Sequence, residues 1–170
     1  MARFAEGDIS LVAGGGGIVV AHQTNCRGAI GGGVSGPICR RWPEVRRRYR
    51  ELCSRKSPAE LFGTVQPVRT SDGTIVCNVF SQLDYGNSAR SGVRYTDEDR
   101  LVAAMRRICD RYPEAAIAVP ERIGCGLAGG DWDSVLARLG ELPVNIVRYV
   151  PGVRPELRSQ GEIADAEAVE

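Results

Sequence analysis

The stretch that decides the fold is Ile123-Gly124-Cys125-Gly126-Leu127-Ala128-Gly129-Gly130-Asp131-Trp132. It lies between an apolar run, residues 115–120, and a run with helical spacing, residues 135–139. A strand, a glycine-rich turn and a helix in this order form a cradle for phosphate. Glycines let the backbone approach an anion, and the first helical turn presents free N–H groups to it. The stretch therefore predicts an anion-binding loop in an α/β fold.

A second glycine-rich segment, Gly28-Ala29-Ile30-Gly31-Gly32-Gly33-Val34, also lies between a strand-like run and a helix-like run. Two loops of this kind are suited to hold a nucleotide diphosphate from opposite sides. The sequence therefore predicts one binding site formed by both segments.

The rest of the chain alternates strand-like and helix-like runs. Strands are predicted over residues 3–6, 18–22, 63–68, 74–80, 115–119 and 144–150, and helices over residues 34–55, from residue 96 or 97 onward, and over residues 132–139. Pro43 predicts a break in the first helix, and Ser71-Asp72-Gly73 predicts a hairpin turn. The alternation predicts an α/β sandwich around a mixed, largely parallel sheet.

The length of 170 residues suits one domain. We expect residues 1–151 to form it, and residues 152–170 to be a polar, acidic C-terminal tail that docks on the body, contacts a partner or stays mobile. No apolar stretch reaches the ~20 residues of a membrane span, and the N-terminus has no signal-peptide pattern. We therefore expect a monomeric cytoplasmic protein without a membrane partner.

Composition argues against a metal site and against nucleic acid as the main partner. The chain has one histidine and six cysteines without a CxxC pair, and its formal net charge is +1. We expect free thiols, no metal and no cofactor. Positive charge is nevertheless clustered in one helix-like segment, where it forms a solvated face or a site for an anionic partner; the cluster comprises Arg40, Arg41, Arg46, Arg47, Arg48, Arg50, Arg55 and Lys56.

Four motifs in order along the chain resemble those of a macrodomain, the ADP-ribose-binding module. They are Gly7-Asp8-Ile9, residues 21–28 (Ala-His-Gln-Thr-Asn-Cys-Arg-Gly), residues 78–82 (Asn-Val-Phe-Ser-Gln) and residues 123–127 (Ile-Gly-Cys-Gly-Leu). The last motif is similar to the branch that contains the terminal ADP-ribose protein glycohydrolase and the yeast-type ADP-ribose 1''-phosphate phosphatase. The resemblance extends to Val150 and implies a three-layer α/β/α macrodomain fold.

The resemblance also implies a role for each part of the site. Asp8 would accept a hydrogen bond from the adenine amino group, and the Ile9 N–H would bind a ring nitrogen. Tyr149 or Pro151 would flank the adenine, and the alternative for Tyr149 is a place in the core. Two backbone segments would hold the diphosphate and the distal ribose; they comprise Gly31, Gly32, Gly33 and Val34 on one side and Gly124, Cys125, Gly126, Leu127 and Ala128 on the other.

Catalysis is the point at which this chain departs from its glycohydrolase relative. That relative is thought to use a lysine nucleophile and an aspartate, whereas this chain has no lysine near residues 80–82 and has Ala128 in the place of the aspartate. Its single lysine, Lys56, lies outside the motifs. The chain therefore either uses a different catalytic mechanism or binds ADP-ribose without cleaving it.

Four polar side chains are candidates for catalysis, and three of them have a structural alternative. Asp131 either binds the distal ribose or caps a helix. Asn25 either binds the ribose or the attacking water, or it stabilises its own loop through hydrogen bonds to the backbone. His22 is an acid–base group or a buried core histidine, and Gln82 lies in the loop nearest the relative's lysine.

The resulting hypothesis is a hydrolase that removes ADP-ribose from glutamate or aspartate esters of ADP-ribosylated proteins, mainly by positioning and substrate assistance. The alternatives are an ADP-ribose 1''-phosphate phosphatase and a non-catalytic ADP-ribose reader.

Overall fold

The structure, a computed structural model, describes residues 1–169 and has one six-stranded sheet at its centre. The strands are β1 (Arg3–Gly7), β2 (Ile18–Thr24), β3 (Val65–Arg69), β4 (Ile75–Phe80), β5 (Ala116–Pro120) and β6 (Asn145–Tyr149). Their order is β1-β6-β5-β2-β4-β3, and every neighbouring pair is parallel except β3 and β4. The predicted mixed, largely parallel sheet and its hairpin are confirmed.

Seven α-helices are described besides a 3-10 turn at Ile9–Leu11. They are α1 (Ser35–Arg41), α2 (Pro43–Arg55), α3 (Pro58–Leu61), α4 (Ser88–Ser91), α5 (Glu98–Arg111), α6 (Trp132–Leu139) and α7 (Gln160–Glu167). The break predicted at Pro43 separates α1 from α2, because Trp42 between them has a non-helical ψ of 81°.

Two apolar clusters cover the two faces of the sheet and produce the predicted three layers. One joins the sheet to α5 and α6 through residues such as Leu101, Met105 and Leu139. The other joins it to α1 and α2 through Ile38 and Val45. Strand β4 is buried at all six residues, as expected for a strand covered on both faces.

The segment after β6 packs against the body of the protein as far as the structure describes it. The Asn145 side chain accepts from the Arg158 N–H at 3.0 Å and donates to the Arg158 carbonyl at 2.9 Å, while Ile163 of α7 is buried. A Cβ at Gly7 would lie 2.6 Å from the Pro155 nitrogen, so glycine allows this close approach. The domain boundary at residue 151 stays a prediction.

No helix within residues 1–169 is long and apolar enough to span a membrane.

Candidate functional site

A cleft of about 740 Å³ opens at the carboxyl ends of the parallel strands. Loops after β2, β4 and β5 form its walls, and its lining comprises residues 23–25, 29–35, 82, 85–87, 120–124 and 126–128. Parallel sheets bind ligands at this edge because the loops that follow neighbouring strands converge there. Most of the site residues predicted from the sequence therefore lie on one cleft: Asn25, Gly31, Gly32, Gly33, Val34, Gln82, Gly124, Gly126, Leu127 and Ala128.

The two glycine-rich segments face each other across this cleft. A Cβ at Gly32 would lie 4.0 Å from Cδ1 of Leu127, whose side chain is 57% exposed. Gly124 has a φ of +71°, and a Cβ there would lie 2.8 Å from the Gln23 Oε1. Side chains are therefore excluded at this turn, and the backbone itself forms the wall of the cleft.

Side chains fix the first loop, which joins β2 to α1. The Asn25 Nδ2 donates to the Ala29 carbonyl at 2.6 Å, and its Oδ1 accepts from the Arg27 N–H at 2.9 Å. The hydroxyl of Tyr49 in α2 donates to the same Oδ1 at 2.8 Å. Burial raises the pKa of Tyr49 above its ordinary value, so this hydroxyl keeps its proton and remains a donor.

Backbone hydrogen bonds fix the second loop, which joins β5 to α6. The Ser88 N–H donates to the Leu127 carbonyl and the Tyr95 N–H to the Ala128 carbonyl, both at 2.8 Å. The Thr96 hydroxyl donates to the Gly124 carbonyl. The loop after β4 thus positions the loop after β5.

Uncharged polar groups line the end of the cleft between the loops after β2 and β4, which we call the polar end. Its members are Gln23, Thr24, Asn25, Gln82 and Asn87. Gln23 and Gln82 hold one another, since the Gln23 Nε2 donates to the Gln82 Oε1 at 2.8 Å. The Gln82 Nε2 in turn donates to the Asp84 carbonyl at 2.9 Å. Gln82, a predicted catalytic residue, thus lies in a network of amides without an acid or base.

His22 lies beneath the cleft rather than on its surface. Its ring is fully buried; Nε2 donates to the Asn78 Oδ1 at 2.6 Å, and Nδ1 accepts from the Ser35 hydroxyl at 2.8 Å. Burial lowers the pKa of the ring to about 4, so the imidazole is neutral at pH 7. The ring links β2 to β4 and to the first residue of α1.

Several predicted site residues do not line the cleft. Asp8 Oδ1 accepts from the Ser10 N–H at 2.9 Å, and Asp131 Oδ1 accepts from the Asp133 N–H at 3.1 Å, so each carboxylate caps a helical turn. Ile9 is buried beside Asp8, and Tyr149 is 69% exposed at the end of β6. Their proposed ligand contacts stay predictions.

Cys125 is also absent from the lining, although its neighbours in the second loop form the wall. Its thiol donates to the Ile123 carbonyl at 3.3 Å, and burial raises its pKa to about 11. The thiol is therefore protonated at neutral pH and packs within the loop.

Several residues that line the cleft are not among those predicted from the sequence. Tyr85 and Ser35 line it, as do Glu121 and Arg122, the charged side chains of the described lining. Arg122 has a φ of +63° and is the one non-glycine residue with positive φ among residues 1–169. Arginine gives no sequence signal for that conformation, whereas Tyr85-Gly86-Asn87 in a polar loop is a signal that could have identified this wall of the cleft.

Comparisons with known proteins agree on the family. No family model matches the chain. An ADP-ribose 1''-phosphate phosphatase of Lodderomyces elongisporus is 29% identical over 141 residues, which cover 76% of this chain and 85% of the relative. Its counterpart in Candida albicans is 23% identical over 150 residues, or 83% of this chain and 93% of that protein.

Among solved structures, a macrodomain protein from Streptomyces coelicolor is 25% identical and superposes with a TM-score of 0.66, over 89% of this chain and all of that one. Its fold and the similarity to the two phosphatases agree with the paired glycine loops at the carboxyl edge of the sheet. Together these findings show a macrodomain fold and support a macrodomain of the branch that includes the ADP-ribose 1''-phosphate phosphatases.

Proposed function

We propose that the cleft binds ADP-ribose with the diphosphate held between the two glycine loops. The observation that carries the proposal is the approach of Gly32 and Leu127 from opposite walls, because the N–H groups of both residues have no acceptor among residues 1–169 and are available to an anion. The cleft volume lies within the range of nucleotide-sized ligand sites. Its relatives are named for an ADP-ribose derivative, which supports the same ligand.

In the proposed orientation, the distal ribose occupies the polar end, and the adenine extends toward Asp8. Asn25, Gln23 and Gln82 suit ribose hydroxyls because amides both donate and accept hydrogen bonds. Ser10 engages one carboxylate oxygen of Asp8, while Oδ2 has no hydrogen-bond partner among residues 1–169. That oxygen suits an amino group of adenine.

The reaction we propose is hydrolysis of an ADP-ribosyl ester on a glutamate or aspartate side chain. Water adds, the ester bond breaks, and the products are free ADP-ribose and the free carboxylic acid. A carboxylate is a good leaving group, so this reaction needs less acid or nucleophilic help than most hydrolyses. The polar end, which lacks acids, bases and lysine in its lining, fits a mechanism based on positioning and on a hydroxyl of the substrate itself.

Dephosphorylation of ADP-ribose 1''-phosphate is the second candidate, and two observations favour it. Both curated relatives carry that name. Arg122 is a cation on the cleft wall that suits a phosphate group. Attack of water on the phosphorus of a phosphate monoester is, however, among the slowest uncatalysed reactions, and the polar end offers neither a nucleophile nor a metal ligand set to accelerate that route. Hydrolysis of an ADP-ribosyl ester therefore fits the lining of the cleft better than dephosphorylation does.

The test is a pair of parallel assays with purified protein. One substrate is a peptide that carries a single ADP-ribosyl-glutamate, and the other is ADP-ribose 1''-phosphate. We expect release of ADP-ribose from the peptide to exceed release of phosphate, and Asn25→Ala to abolish it. Faster phosphate release would favour the phosphatase. Binding of ADP-ribose without either reaction would indicate a non-catalytic ADP-ribose reader.

A further inference from the structure

A second polar groove lies on α2, outside the cleft. It has a volume of about 500 Å³ and is lined by Pro43, Arg46, Arg47, Arg50, Glu51 and Ser54, which we call the arginine groove. These residues are spaced three or four apart and therefore share one face of the helix. The lining contains three guanidinium groups and one carboxylate, so the net charge of the groove is positive.

Most of this positive charge is not neutralised by the protein itself. Glu51 lies 3.5 Å from Arg47 and 3.9 Å from Arg48, whereas Arg46 and Arg50 have no carboxylate within 4.0 Å among residues 1–169. The Arg46 Nε is buried and lacks a hydrogen-bond acceptor in the same part of the chain.

The arginine groove borders the wall of the cleft. The guanidinium of Arg46 reaches the first glycine loop, since its Nη2 lies 3.1 Å from the position of a Cβ at Gly31. Farther along α2, Tyr49 contacts Asn25, and Cys53 Cβ lies 3.7 Å from the position of a Cβ at Gly28. Helix α2 therefore supports the loop from outside, and the arginine groove meets the loop through Arg46 at Gly31.

We propose that the arginine groove docks an acidic segment of the modified protein, next to the ADP-ribosylated residue. The proposal rests on the function proposed above and specifies its substrate class. Carboxylates suit the groove because guanidinium forks bind them through paired hydrogen bonds. A carrier chain that leaves the polar end over the first loop meets this groove directly.

Two peptides test the proposal. Each carries one ADP-ribosyl-glutamate, and they differ only in three flanking residues, which are glutamate in one and glutamine in the other. We expect kcat/KM of the wild-type protein to be about threefold to tenfold higher for the acidic peptide, the range for two partly exposed charge pairs. Arg47→Gln with Arg50→Gln should remove this preference and leave the affinity for free ADP-ribose unchanged.

The matched control is Arg106→Gln with Arg111→Gln, which removes two exposed arginines from α5 on the opposite face of the sheet. This variant should keep the full preference for the acidic peptide. Equal kcat/KM for the two peptides with wild-type protein would overturn the proposal, and so would a preference that survives in the Arg47/Arg50 variant. The variant leaves the partly buried Arg46 in place, so that the fold is retained.

A direct binding measurement separates this proposal from the function on which it rests. Fluorescence anisotropy with the labelled, unmodified acidic peptide needs no ADP-ribose site. Binding that is weakened in the Arg47/Arg50 variant and retained in the α5 variant would support the groove even if neither reaction occurred. Absence of binding, or tighter binding of a single-stranded oligonucleotide to the same arginines, would contradict an acidic protein segment as the occupant.

Discussion

The two glycine loops face the same cleft but are held in place by different means. Side chains hold the loop after β2: Tyr49 contacts Asn25, and His22 holds Ser35 at the start of α1. Backbone hydrogen bonds hold the loop after β5, through the carbonyls of Leu127 and Ala128. The first loop should therefore be sensitive to side-chain chemistry and pH, and the second should be sensitive to a side chain at its positive-φ glycines, Gly124 and Gly129.

The largest expected effect is acid destabilisation through His22. Burial lowers the pKa of its ring to about 4 in the folded state, whereas an unfolded histidine has a pKa of about 6.5. The unfolded chain therefore binds a proton first, and stability falls as the pH drops from 6.5 towards 4. Between pH 7.5 and pH 5 the free energy of unfolding should decrease by about 2 kcal/mol.

Urea unfolding across this pH range measures the effect. His22 is the only histidine of the chain, so His22→Asn should have a lower but nearly constant stability over the same interval. A wild-type protein that is equally stable at pH 7.5 and pH 5 would contradict the assignment of a neutral, buried ring.

A glycine substitution in the second loop should have the next largest effect. Gly129 has a φ of +77°, and a Cβ there would overlap Ser88, so Gly129→Ala should lower the free energy of unfolding by about 1–2 kcal/mol. Gly126 lies three residues earlier in open space without a positive φ, and Gly126→Ala is the control. Thermal unfolding that finds the two variants equally stable would show that backbone geometry does not distinguish these positions.

The smallest expected effect comes from a single hydroxyl behind the first loop. Tyr49→Phe removes the donor to Asn25 within a buried contact and should cost about 1 kcal/mol of stability. It should also weaken ADP-ribose binding, although Tyr49 does not line the cleft. Tyr95→Phe, which removes a hydroxyl bonded to the exposed Ser91, should change neither quantity. Equal effects of the two substitutions on binding, measured by calorimetry, would contradict a special role of side chains behind the first loop.

The sequence predicted most of the sheet because its strands are short apolar runs bounded by glycine or proline. The predicted strand at residues 18–22 corresponds to β2, and the helical pattern broken at Pro43 corresponds to α1 and α2. Helices α3 and α4 were missed because four residues are too few to show a helical period, and α7 was missed because its polar sequence has no apolar period. α3 and α7 nevertheless begin with Ser-x-x-Glu capping boxes at Ser57 and Ser159, a signal that was present in the sequence.

The cleft was only partly predictable. Glycine-rich stretches mark the loops because backbone conformation demands those residues, and both loops line one cleft as predicted. Placement of single polar side chains depends on tertiary contacts that no local pattern encodes. His22, for example, follows a strand pattern whether its ring faces the cleft or, as here, bonds to Asn78 and Ser35 beneath it.

The central claim is that both glycine loops bind one ADP-ribose molecule. The most direct measurement is a titration with ADP-ribose followed by the backbone amide NMR shifts of the protein. Amides of residues 31–34 and 124–128 should shift together, with one dissociation constant and one equivalent of ligand. Shifts confined to one loop, or to residues outside the cleft, would contradict the claim.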